Sequence, residues 1–219
     1  MVDNDRVGGD HDGRLPTTCE GHWDDAYLRH GSTGVSWFQP VTTISSELLR
    51  VAAVPRDAAI LDVGGGTSNL VDALLGDGFS DLTVLDISGV ALAALRDRLG
   101  PGSPVTLVHA DLLSWTPSRH FDLWHDRAVL HFLVEAEDRL RYLSVLRSAL
   151  QPGGTVIVGT FAADGPEHCS GLPVARYSSE ALMAVLGDDF EVLAERREEH
   201  VTPGSVIQPF TWVAARLLD

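Results

Sequence analysis

Lysine is missing from this chain of 219 residues: all sixteen basic side chains are arginine. A lysine general base is therefore excluded. Positive charge is scarce as well, and the net charge of −15 argues against a nucleic-acid or anionic-membrane surface, which needs clustered cations. Only two cysteines occur, Cys19 and Cys169, far apart and in no metal-ligand spacing. That excludes a disulfide framework or a cysteine metal site and suits a reducing cytoplasm. No run of about 18 apolar residues exists, and no apolar stretch follows Met1, so neither a membrane span nor export is expected. Internal repeats and low-complexity segments are absent too.

What is present fits one domain with a sizeable core. Residues 1–15, MVDNDRVGGDHDGRL, carry few large apolar side chains and are expected to form a disordered tail, leaving 16–219 as the domain. Residues 20–50 concentrate Trp23, Tyr27, Trp37 and Phe38 before any strand of a main sheet. They read as a helix, a glycine-containing loop and a second helix. Beyond Pro55, strands alternate with helices: AILDV, LTVLDI, VTLVHAD, FDLWHD and TVIVGTF. Such alternation indicates βαβ units and a parallel sheet covered on both faces. After a turn-rich loop and the helix SSEALMAVLG, the runs FEVLAERREEHV and FTWVAARLL read as an antiparallel pair at one sheet edge.

The stretch AILDVGGGTSNL reads as strand, tight turn and helix. A dinucleotide fingerprint would need a third glycine at position 69, where asparagine stands. Asp62 at the mouth of the turn repels a pyrophosphate and welcomes an ammonium. The expected ligand is not a diphosphate. Four acids then end four successive strands: Asp62, Asp86, Asp111 and Asp126. Ligands of a doubly wound sheet bind outside those strand ends, so the acids converge on one crevice. Asp86 lies about 20 residues after the glycine turn, where a carboxylate accepts hydrogen bonds from a ribose diol. Asp111 can accept one from an adenine amino group, with Ile87 and Leu112 as apolar faces for the base. Each acid taken alone could equally be a helix cap or turn residue.

These segments resemble the class I S-adenosylmethionine-dependent methyltransferases. The resemblance runs from Ile60 to the C-terminus through LDVGGGTS, LDIS, HADLL, FDLWHDRAVLHFL and LQPGGTVIVGTF, with Ser68 where the family usually has its last glycine. It implies an α/β fold: a doubly wound, seven-stranded, mostly parallel sheet with a C-terminal antiparallel hairpin. It also implies S-adenosyl-L-methionine as cofactor, with Gly64, Gly65, Gly66 and Asn69 near its methionyl part and Asp62 near its ammonium. HDRAVLHF resembles the corresponding segment of the thiopurine methyltransferase group and also the Asp-Lys-Gly pattern of small lysine methyltransferases acting on elongation factor and related proteins. By that resemblance Arg127 is expected to be both cofactor-binding and catalytic, gripping the cofactor's carboxylate beside the acceptor pocket, with Asp126 and His131 as candidate catalytic partners. Trp23 and Trp37 would close over the cofactor, and Tyr27, Phe38, His125 and His168 would border the acceptor. Cys169 reads as an inert small residue.

An NAD-dependent oxidoreductase and a cofactor-binding module without activity are the alternatives. The sequence shows no evident His-Asp dyad and no amine-methylating motif, so the expected acceptor is small and easily ionised, a thiol before a protein lysine.

Overall fold

In the computed structural model, residues 20–218 are described; the expected tail 1–15 and Cys19 lie outside them. Seven strands form one sheet: β1 (Ala59–Val63), β2 (Asp81–Asp86), β3 (Thr106–His109), β4 (Phe121–Arg127), β5 (Leu150–Phe161), β8 (Phe190–Val201) and β9 (Ile207–Leu217). Their order is β3-β2-β1-β4-β5-β9-β8. β1 through β5 pair in parallel, and β9 runs antiparallel to both β5 and β8. This is the sheet expected from the alternation of strands and helices. The strand order reverses beside β1, which opens a crevice at the carboxyl ends of β1 and β4.

Period-two alternation distributes the core over both faces. Leu61, Trp124, Val158 and Val213 pack on one side, with α5 (Ala136–Ala149) and α6 (Ser179–Leu186). Ile60, Leu123, Ile157 and Trp212 pack on the other, with α2 (Thr43–Val51), α3 (Leu70–Gly76) and α4 (Gly89–Leu99). Burial on both faces explains why β1 reads as a continuous apolar run with one acid in it. The loop after β5 holds more structure than its sequence suggests, a short hairpin of β6 (His168–Cys169) and β7 (Leu172–Pro173).

α1 (Glu20–Gly34) is kinked at Gly31, where φ is 66°. It is fastened across the carboxyl ends of the strands by Asp24, which accepts hydrogen bonds from the Ser88 hydroxyl (2.6 Å) and the Val90 N–H (3.1 Å). Among the described residues, no helix is long and apolar enough to cross a membrane.

Candidate functional site

The glycine turn sits where β1 ends. Gly64 and Gly66 have φ of 61° and 48°, a region open to glycine at little cost. Gly65 is required for space: a Cβ there would lie 2.6 Å from the Asp62 carboxylate and 2.7 Å from Val84. A Cβ on Gly66 would meet the Tyr27 hydroxyl, and one on Gly64 would meet Val129. The turn is also pinned from outside by Arg98, whose guanidinium donates to the carbonyls of Thr67 (2.8 Å) and Ser68 (2.6 Å) and pairs with Asp72. No motif in the sequence points to Arg98, because its partners lie about thirty residues away.

A cleft opens beside this turn, with about 870 Å³ of empty space when the solvent at its mouth is included. At one end stand Asp86, Ile87, Asp111 and Leu112; at the other stand Arg127, Phe132 and Cys169, under a roof of Trp23, Tyr27 and Trp37. The roof is an edge-to-face aromatic array, with Trp23 4.9 Å from Phe132 and 5.7 Å from Trp37. Trp37 donates its indole N–H to the Tyr27 hydroxyl (3.2 Å). A second recess continues past Gly64 and is bordered by Phe38, Asp62, Gly65, Asn69 and His125. Asn69 serves there as a tie, donating to the Gln39 carbonyl (2.9 Å).

Asp86 is buried, and burial pushes its carboxyl up to about 6. One oxygen accepts the Ser88 N–H (2.7 Å). Asp111 accepts the Leu113 N–H (2.9 Å) and so caps the short helix that carries Leu112. These placements suit a nucleoside: a carboxylate for a diol, a second acid, and apolar faces for a base.

Asp62 corrects one expectation. Across 63 positions it forms a buried pair with His125, Oδ1 to Nδ1 at 2.8 Å, and His125 Nε2 reaches the Ser45 hydroxyl at 2.9 Å. The His-Asp dyad absent from the sequence pattern therefore exists. With Ser45 only 1% exposed, the chain Ser45–His125–Asp62 is a brace, not a nucleophilic triad, and His125 has no ring nitrogen left for an acceptor. The other oxygen of Asp62 is buried without a hydrogen-bond partner among the described residues. A ligand ammonium in the recess would satisfy it.

Asp126, His131 and His168 depart from the expected roles. Asp126 is fully buried and accepts from the N–H groups of Val129 (2.8 Å) and Leu130 (3.0 Å) and from the Tyr142 hydroxyl (2.8 Å). It does not line the cleft. His131 is buried against Phe132 and Phe161, outside the cleft wall. His168 is exposed, and its neighbour Cys169 lines the cleft instead. Burial, then the nearby Arg127 charge, lowers His131 to about 3. Because the folded value lies below the unfolded 6.5, stability is full above pH 6.5 and falls as the pH drops toward 3. The slope from this group reaches at most about 1.4 kcal/mol per pH unit. His131→Phe should flatten acid denaturation across that window without changing cofactor affinity; an unchanged pH slope would exclude this account.

Arg127 is not a surface ion-pair residue. Its Nη1 donates to the Trp37 carbonyl (2.8 Å) and its guanidinium lies 4.7 Å over the Phe210 ring. Burial lowers it to about 10, partly countered by Glu198 and Cys169.

Residues 60–154 match the methyltransferase domain family. Trans-aconitate 2-methyltransferase of Streptomyces avermitilis is 33% identical over 156 residues, covering 67% of this chain and 54% of that protein. The chain thus spans about half the length of that relative. EEF1A lysine methyltransferase 2 of Danio rerio is 25% identical over 190 residues, covering 80% and 76% of the two chains. Among solved structures, the 1,6-didemethyltoxoflavin-N1-methyltransferase of Burkholderia thailandensis, bound to its namesake and S-adenosylhomocysteine, superposes with a TM-score of 0.67. It shares 19% identity and covers 99% of this chain and 93% of that one.

Proposed function

We propose that this chain, which belongs to the class I S-adenosylmethionine-dependent methyltransferases and takes S-adenosylmethionine as cofactor, methylates a small thiol in the cytoplasm. When bound, the cofactor supplies a methyl group on a sulfonium, whose departure as a neutral thioether needs no acid. The protein's own tasks are then to hold both partners and exclude water. Asp86 and Asp111, with Ile87 and Leu112, hold the nucleoside; the glycine turn and the free oxygen of Asp62 hold the amino-acid end. α1, the segment around Trp37 and α2 act as the lid. Alignment of this kind can supply about 7 to 11 kcal/mol of the barrier.

One observation carries the choice of acceptor: among the described residues, the groups at the Arg127 end of the cleft offer no free base near neutrality. Asp126 and His125 are fully engaged, His131 lies outside the wall, and burial pushes the Cys169 thiol up to about 11. The acceptor must therefore arrive ionised. A thiol near pKa 8.5 meets that condition far better than a lysine amine near 10.4. Trans-aconitate 2-methyltransferase, a relative, is named for a small molecule, and the charge of −15 repels nucleic acid. Protein lysine methylation is the second reading, favoured by the similarity to a lysine methyltransferase over 80% of the chain.

Incubation with radiolabelled cofactor and separated small-molecule and protein fractions of a cell extract tests the assignment. Label should enter small molecules and vanish after thiol blocking. Label confined to alkali-stable methyl-lysine would establish the second reading, and cofactor binding without any transfer would reduce the chain to a binding module.

A further inference from the structure

Arg127 has more donors than the fold uses. Nη1 is taken by the Trp37 carbonyl and one face of the guanidinium by Phe210. Nε and Nη2 are buried without a hydrogen-bond partner among the described residues. These two nitrogens form one edge of the guanidinium plane, and their N–H bonds run side by side at the spacing of the two oxygens of a carboxylate. The group is thus fixed on one edge and one face, with the remaining edge ready for a planar anion.

Among the described residues, no neighbouring anion fills that edge. Glu198 is near enough to be felt, but its oxygens accept from the Trp212 indole and the Gln39 amide. Cys169, pushed up by burial, is a neutral thiol. Asp86 and Asp111 stand at the other end of the cleft, and Asp62 faces the recess. Leaving charged donors buried and unpaired is destabilising, and a bound carboxylate relieves it.

We propose that the Nε–Nη2 edge of Arg127 binds a carboxylate of the methyl acceptor, so that the acceptor is an organic acid. This rests on the methyltransferase reading above and leaves open which atom of the acid is methylated. The cofactor's amino-acid end carries a carboxylate too, but the Phe210 and Cys169 neighbours of the guanidinium favour the acceptor. The guanidinium stacks on Phe210 of β9, a strand on the β5 side of β4, and feels Cys169, which lines the cleft. Arg127 also borders the recess beside the glycine turn, which follows β1, so the cofactor's carboxylate is the competing occupant that saturation with S-adenosylhomocysteine takes out of the test.

The test uses full-length protein saturated with S-adenosylhomocysteine, so that the cofactor's own carboxylate is already in place. The probes are 3-mercaptopropionate and butyrate, each titrated against its neutral amide and followed by tryptophan fluorescence. Each acid should bind at least roughly tenfold more tightly than its amide, as for a charge-assisted bidentate pair. Arg127→Gln should abolish that preference while S-adenosylhomocysteine affinity, measured separately, changes less than about threefold. Arg127→Lys, which keeps the charge and loses the fork, should recover only part of it; that variant decides the matter if the glutamine variant does not fold. Equal binding of acid and amide to the parent overturns the proposal. A large loss of S-adenosylhomocysteine affinity with the preference intact also overturns it, and gives the edge to the cofactor. Binding of butyrate needs no thiol and no methyl transfer. Its preference can therefore stand while the thiol reading fails, or fail while methyl transfer to thiols stands.

Discussion

Asp86→Ala should weaken S-adenosylmethionine binding about 10- to 150-fold, the equivalent of roughly 1.5 to 3 kcal/mol for hydrogen bonds to a charged acceptor. The carboxylate ends β2, lines the cleft and is held by the Ser88 N–H. A ribose diol needs the ionised form, and burial has brought that ionisation up to about 6. Binding favours the carboxylate, so affinity should fall as the pH drops from 7.5 through 6 toward 5. Asp86→Asn, which cannot titrate, should bind weakly with little pH dependence. Calorimetry on the parent and both variants measures each point. Unchanged affinity in Asp86→Ala would remove Asp86 from the cofactor site, and a parent as flat with pH as Asp86→Asn would remove the ionisation from the account.

The strands and the C-terminal pair were legible because they follow from local signals, whereas the order β3-β2-β1-β4-β5-β9-β8 depends on contacts between distant segments. Apolar runs of four to seven residues, each closed by an acid or glycine, fixed β1 to β4, and two long alternating runs around TPGSVIQP fixed the edge. The site was legible where its residues stand at strand ends: Gly64, Asp86, Asp111 and Arg127 all reach one cleft. What stayed hidden depends on side chains that meet across long stretches of chain. Ser45 and His125 are 80 positions apart, and Arg98 reaches Thr67 across 31. Spacing in sequence carries no trace of such pairs. Asp126 shows the converse failure: its place in an Asp-Arg pair at a strand end suggested chemistry, yet its oxygens turn inward.

Removing Asp126 should therefore cost stability and spare binding. In Asp126→Ala the Val129 and Leu130 N–H groups and the Tyr142 hydroxyl lose their common acceptor, and Leu130 and Tyr142 are fully buried. Stranding buried donors around a deleted charge costs on the order of 3 to 5 kcal/mol. Against a typical total of about 5 to 15 kcal/mol, that is a large fraction. Burial also raises Asp126 from 3.8 to about 6. A carboxyl raised in the folded state contributes stability that is complete below 3.8 and is lost as the pH rises through 6. The deficit of Asp126→Ala relative to the parent should accordingly be wider at pH 5 than at pH 7.5, as read from urea unfolding at both values. At low temperature, where the variant remains folded, S-adenosylhomocysteine affinity should stay within about threefold of the parent, because the carboxylate buttresses the turn after β4 from behind the cleft. Full stability together with a turnover loss of about a hundredfold or more would instead return Asp126 to a catalytic role.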